Sequence, residues 1–553
     1  MNLNKLLTAL RQRTNAPARN LPAERHERYT HALEQFLDGH QPAVRLGGVY
    51  TLANLADEWL ADDSLPEQVR REEAQTIIDA LTECIRTPYP LAQKRQILES
   101  DEAPEGYEGD FTRDQEALRE EQLVRRTVFM EFSRRLAAAA ENNKTGNEES
   151  HHAVPPISPT WADLRFDFGG APIFYPLQQL YFQNANFASA TFYGPADFFG
   201  ATFHGDTSFS AAQFTADASF QGANFNDWVG FSAAHFAGAA EFSGARFADV
   251  ASFATVAFTG EVDFSDAVFS AVADFAVSAF KSDANFSRLN TAGVASFAAV
   301  TFDGKAVFTA STFHDEAHFA ASVFNRPAVF SKSLFGGVAR FAGVVTKQSA
   351  MFSNVRFAGA ADFSGASFTQ YEDFGGARFD GDATFSRASF IALPRTRYEM
   401  DFPQHANFAN AAFTQDTDFS QTTFTAFVGF GRATFAGAVS FNGANFAGAY
   451  FAGAYFADAK FSQKADFRQT RFAYAEPSFW DSEGQQKSAR FSAQANPQDY
   501  LFEVRPESPH GFSCGEAQLL NRTFVLPVGA VLYDPDSWDE EKQEYTRVSE
   551  PAQ

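Results

Sequence analysis

The heptapeptide FHDEAHF, from Phe313 to Phe319, is the densest group of side chains that could do chemistry. His314 and His318 stand four residues apart, with Asp315 and Glu316 between them. Imidazoles and carboxylates at that distance could ligate a transition metal. The zinc pattern H-E-x-x-H places Glu directly after the first His on a helix. Here Asp315 holds that place, and no helical pattern surrounds it, so both imidazoles are expected to be solvated. The His151–His152 pair lies in a polar stretch and is a weaker candidate. No G-x-S-x-G and no P-loop are read, and no G-x-G-x-x-G follows a strand. The sequence therefore predicts no catalytic, cofactor-binding or metal-binding residue, no cofactor, and a protein that is not an enzyme.

Charge narrows the partners. The 553 residues carry a formal net charge of −24, which argues against a nucleic-acid binder, since that needs a basic face able to displace counterions from phosphates. No direct binding of nucleic acid is expected. The acids are unevenly spread: residues 182–320 hold 14 acidic and 4 basic side chains, whereas 321–360 hold none and 5. Those five, Arg326, Lys332, Arg340, Lys347 and Arg356, form a candidate partner-binding patch. The beat breaks between Phe390 and Phe408, 18 residues apart where it predicts 17, and Arg395 and Arg397 in the intervening IALPRTRYEMDFPQHA form a candidate recognition loop. Cys84 and Cys514 are far apart and read as free thiols of a reducing compartment. No run reaches the roughly 18–20 apolar residues of a membrane span. The opening MNLNKLLTALRQRTNAP is a poor signal peptide, so a soluble cytoplasmic protein is expected, and the sequon at Asn521 has no consequence there.

What must position these groups is a repeat. In ADFSGASFTQYEDFGGARFDGDATF, Phe363, Phe368, Phe374, Phe379 and Phe385 are separated by alternating steps of 5 and 6. The beat holds from Phe187 to Phe390, where 36 of 38 positions are Phe and the exceptions are Thr291 and Thr346. Two residues before each Phe the residue is usually small, and the residue between is polar; Glu372, before Phe374, departs from this. Ala-polar-Phe has period 2, so Ala and Phe share one face of a short strand. Steps of 5 and 6 do not keep Phe on one helical face. Successive short strands turning corners make a solenoid, with four steps per 22-residue coil. One buried column would hold Phe313, Phe335, Phe357 and Phe379; another would hold Phe319, Phe341, Phe363 and Phe385. Each buried Phe is worth about 1.5–3 kcal/mol. The expected hand is right-handed.

These units resemble those of the pentapeptide-repeat family: a small residue, a polar residue, a central Leu or Phe, then two mostly polar residues. ANFAGAYFAGAYFADAKF, Ala444 to Phe461, matches with steps of 5 throughout. The resemblance implies a right-handed, four-sided β-helix, here with an added residue on alternate sides. It also implies a non-catalytic role in binding a protein partner, and a homodimer formed by end-to-end stacking. Some members are acidic DNA mimics that occupy DNA gyrase, which is the alternative function. VRLGGVYTLANLADE followed by TIIDALTECIRTPYP resembles the helical segment before the repeats of some actinobacterial members.

The predicted fold is mainly β: a right-handed quadrilateral β-helix of about 22 residues per coil with an N-terminal α-helical domain. Residues 1–140 read as the helical domain, on spacings such as Val44, Leu52, Leu55 and Trp59. Residues 141–160 read as a linker and 161–480 as the β-helix. Residues 481–553 read as a cap, with Phe524 to Tyr533 as its strand, followed by an acidic disordered tail. The leading function is a rigid scaffold for protein–protein interaction, with the partner unknown.

Overall fold

The uneven beat of the phenylalanines is set by the corners they precede. The computed structural model describes residues 23–38, 41–145, 160–177, 181–391, 405–425, 427–447, 454–481 and 487–553. Each regular Phe lies in, or directly follows, a strand of two or three residues, and strands four apart in sequence order pair in parallel. After Phe363 the Ala366 N–H donates to the Phe363 carbonyl at 3.1 Å, with Gly365 between them at φ 63°. After Phe374 the Ala377 N–H does the same at 3.0 Å, around Gly376 at φ 68°. These are β-turns with a left-handed third residue. They make the five-residue steps; the six-residue steps turn wider corners. From Ala233 to Gly365 a left-handed residue recurs at every eleventh position, two places after the Phe that opens each tight corner. A 22-residue coil is thus two equal halves, each with one tight and one wide corner.

The residue between Ala and Phe explains its own polarity. Asp362 accepts the Ser364 N–H at 2.9 Å, Asp373 that of Gly375 at 2.8 Å, and Asp418 that of Ser420 at 2.8 Å. A short acceptor at this outward position caps the tight corner beside it. Many of the left-handed residues are not glycine, and an L side chain pays about 1–2 kcal/mol there. Val277 is the extreme case, β-branched at φ 62° and 61% exposed. Val277→Gly should raise stability by about 1 kcal/mol in urea melts. An unchanged or lower midpoint would show that this corner stores no strain.

The chain divides into two units, residues 1–219 with 223–228 and residues 220–222 with 229–553. Both units hold regular coils, and most of them are in the second. Phe319, Phe341, Phe363 and Phe385 stack at 4.8–4.9 Å between ring centres, and Phe313, Phe335, Phe357 and Phe379 at 4.8–5.1 Å. The 22-residue coil is therefore present as predicted. Phe330, Phe352 and Phe374 form a further column, whose rings meet the Phe341 and Phe363 rings edge-on at about 5.4 Å. Stacking within columns and edge contacts between them suit the ring quadrupoles. All of these rings are 0–1% exposed.

Three sequence expectations change. The break near Pro394 is not one surplus residue in the beat. Phe374 stacks on Phe408, Phe379 on Phe413 and Phe385 on Phe419, so one turn of the coil is lengthened by an insertion. The ladder shows the same. Asn407 donates to Asp373 across a sequence separation of 34, where Asn285 donates to Asp263 across the regular 22. The run of perfect fives is an interruption too. Phe430 stacks on Phe456 and Phe435 on Phe461, so Phe456 and not Phe451 follows Phe446 around the coil. The final residues, expected to be disordered, are folded. Val531–Tyr533 continues a parallel ladder from Arg490–Ser492, and Arg522–Pro527 pairs with Cys514–Leu519 in a hairpin. Lys460 lies over the Tyr533 and Tyr545 rings, Arg547 holds the buried Asp534 at 2.7 Å, and the Ala552 N–H donates to Ala530. A cation between aromatic faces and backbone pairing supply order that acidic composition alone does not suggest.

The first unit begins with helices α1 (Ala23–Phe36), α2 (Pro42–Leu60), α3 (Glu67–Arg86), the short α4 (Arg95–Leu98) and α5 (Phe111–Thr145). Gly48 lets α2 approach α1: a Cβ there would lie 2.5 Å from the Phe36 nitrogen. The helices close the first coil. Phe129 of α5 stacks on Phe168 at 4.5 Å, and Phe132 packs on Trp161 and Phe166. The backbone edge of that coil is satisfied by helical side chains. Gln75 bonds both the N–H and the carbonyl of Arg165; Arg86 donates to Gly169, Gln122 to Phe174, and the Tyr181 N–H donates to Ser133. A solenoid end left bare would expose both apolar rings and unpaired strand groups. Inside the helical layer Glu121 lies 2.6 Å from both Arg45 and Arg125, which hold its carboxyl below the usual range against its burial.

Candidate functional site

The coil pairs His318 with Glu316 and puts His314 past the preceding strand, which ends at Phe313. His318 is the outward residue of the strand Ala317–His318, in register with Ser296 and Arg340. Its Nε2 lies 2.9 Å from Glu316, and Arg340 lies 3.2 Å from the same carboxylate oxygen. The hydrogen bond from His318, then that from Arg340, hold the Glu316 carboxyl below its usual range. His314 follows Phe313, and its N–H donates to the Thr291 carbonyl. Among the described residues no group of three His, Cys, Asp or Glu side chains is arranged to hold a metal ion.

The five basic residues of 321–360 do not converge. Arg340 is the outward residue of one ladder and Arg356 of another. Lys332 is a left-handed corner residue, while Arg326 and Lys347 lie past the strands that end at Phe324 and Thr346. Arg326 and Lys347 share one side, because their strands pair, and the others lie on different sides of the coil; Arg340 is engaged by Glu316, and Arg356 by Asp380 at 2.7 Å. Arg395 and Arg397 lie outside the described residues.

One motif was missed by the sequence reading. Gly511-Phe-Ser-Cys-Gly515 fits G-x-S-x-G, the pattern of a hydrolase nucleophile elbow. That elbow needs a strand-to-helix turn. Here the motif runs into the strand Cys514–Leu519, and Ser513 donates to Glu476 at 2.9 Å, so its setting is not that of a nucleophile.

A second feature was legible as spacing but was not picked out. On α5, Arg119, Leu123, Arg126, Met130 and Arg134 are all exposed, and steps of three and four keep them on one face. Leu123 is 51% and Met130 52% exposed. The opposite faces of the helix carry the buried Val128, Phe129, Phe132 and Leu136. Apolar side chains framed by three guanidinium groups stand out on a chain of net charge −24.

Among the described residues of the coils, three buried polar side chains that break the repeat also leave an atom without a hydrogen-bond partner. Thr291 and Thr346 replace Phe in the columns, and Glu372 replaces the small residue. All three are 0–2% exposed. Burial alone pushes the Glu372 carboxyl up to about 8.

No helix among the described residues is long and apolar enough to cross a membrane. The family description "Pentapeptide repeats (9 copies)" matches residues 187–235 and 347–389. No curated protein and no solved structure matches the chain.

Proposed function

We propose that this pentapeptide-repeat protein is a non-catalytic scaffold whose helical domain holds an acidic protein partner. The observation that carries the reading is the α5 stripe of Leu123 and Met130 set among Arg119, Arg126 and Arg134. Exposed apolar side chains interleaved with guanidinium groups favour an acidic partner surface, with Arg119 and Arg126 nearest the two apolar side chains and Arg134 already paired with Glu131 at 3.0 Å. The stacked core supplies a stiff support, since each coil is held by its neighbours. Two unpaired thiols, Cys84 and Cys514, favour the cytoplasm as its location. Affinity purification from native lysate with wild-type chain and with Leu123→Glu/Met130→Glu tests the proposal. A protein recovered by wild type should be lost by the double variant at unchanged thermal stability. Equal recovery by both would overturn it.

A second reading rests on the 14 acidic against 4 basic residues of 182–320: an acidic surface that imitates DNA and binds a DNA-handling enzyme such as gyrase. Added protein should then inhibit gyrase supercoiling in a salt-dependent way. Unchanged supercoiling would exclude it.

A further inference from the structure

Two positions in the second unit break the rule of the repeat on successive turns. Thr346 stands where a Phe belongs, between Phe324 and Phe368 in its ladder. Glu372 stands where an Ala belongs, between Ala350 and Ala406. Thr346 precedes Ala350 by four residues, as Phe368 precedes Glu372. The missing ring and the added carboxyl therefore flank the same corner, one strand spacing of about 4.8 Å apart along the coil axis. Thr346 is 2% and Glu372 1% exposed, and neither Thr346 Oγ1 nor Glu372 Oε1 has a hydrogen-bond partner among the described residues.

We propose that the Glu372 carboxyl enters the space left by the missing ring at Thr346, and that the two groups bind ordered water in a polar chamber inside the Phe core. Buried polar groups are nearly always satisfied, by water where protein does not serve. A buried water needs room and two to four polar partners. The absent ring supplies the room; the carboxyl and the hydroxyl supply partners that both donate and accept. A calcium ion would demand six or more oxygens, several of them anionic, and the corner offers one carboxyl. Thr291 is an internal control. It also replaces Phe, between Phe269 and Phe313, with an unpartnered hydroxyl and 0% exposure. The position four residues after Phe313, equivalent to Glu372, is Ala317. One gap thus has an acid beside it and the other does not.

The test is a double-mutant cycle on the full chain, with Thr346→Phe, Glu372→Ala, the pair, and Thr291→Phe in both backgrounds. With Glu372 present, the new ring at 346 competes with the carboxyl and should lower the thermal midpoint; in Glu372→Ala it should raise it. Thr291→Phe should raise the midpoint by the same amount in both backgrounds. If Thr346→Phe alone fails to fold, recovery by Glu372→Ala is the same result in stronger form. Additive effects, or failure to fold in both backgrounds, overturn the proposal. A crystal structure should show water within hydrogen-bonding distance of Glu372 Oε1 and Thr346 Oγ1. A dry gap, a bound ion, or a carboxyl turned away from Thr346 overturns it.

Discussion

Glu372→Ala should raise the stability of the second unit at pH 8 by roughly 3–5 kcal/mol, on the pKa displacement caused by burial. In the folded chain Glu372 keeps its proton up to about pH 8, because burial penalises the anion. Unfolded, the same carboxyl releases its proton near 4.5. Between these values the native state binds more protons than the unfolded state, so stability falls as pH rises from about 4.5 to about 8 and is then level. Below about 4.5 that loss is absent. The titration of other carboxylates overlaps this range, so the informative quantity is wild type minus variant. Urea melts from pH 4.5 to 9 should give a difference that grows with pH through the neutral range. Glu372→Gln, which cannot ionise, should lose the same slope. A difference independent of pH would mean that the carboxyl is open to bulk solvent in the folded protein.

Phe319→Ala should cost about 5 kcal/mol and Phe313→Ala about 3, the upper and lower ends of the range for a buried Phe replaced by Ala. Phe319 lies at the centre, stacked on Phe297 and Phe341 at 4.9 and 4.8 Å and edge-on to Phe308 and Phe330 at 5.3 and 5.2 Å. Phe313 stacks on Phe335 at 4.9 Å, but its other ladder neighbour is Thr291. Removing the central ring opens a cavity walled by rings that the stacked coils hold in place, so little collapse is available. Removing Phe313 enlarges a gap that already exists. Chemical denaturation measures the difference, and faster amide exchange should be confined to the coils beside the substitution, because each coil contacts its neighbours alone. Equal costs at the two positions would contradict a core that is tightest along its centre.

Much of this was legible because a repeat multiplies a weak local signal. One Ala-polar-Phe triplet says little, but 36 Phe on 38 beats leave few geometries open, and the coil period names which rings must stack. The same logic misled at the interruptions. At Ala444 to Phe461 the local pattern is at its cleanest, yet Phe446 is followed around the coil by Phe456, since register depends on which strand pairs with which and not on spacing. The distance from Phe390 to Phe408 looked like three units with one residue too many. Hydrogen bonding makes it a single corner with an insertion, because Ala406 pairs with Glu372. The basic residues of 321–360 looked like a patch because they are close in sequence. A coil turns through all four of its sides within one period, so neighbours in sequence face different ways.

The sequence by itself determined the solenoid, its coil length, the identity of its stacked rings and the helical character of the residues before it. Those follow from periodicity, and periodicity is a local property of the chain. The tertiary structure alone decided how the ends are closed, with α5 laying Phe129 on Phe168 and the last residues folding around Lys460. It alone placed Thr346 and Glu372 at one corner. Closure and juxtaposition depend on contacts between residues distant in sequence, and no local pattern records those.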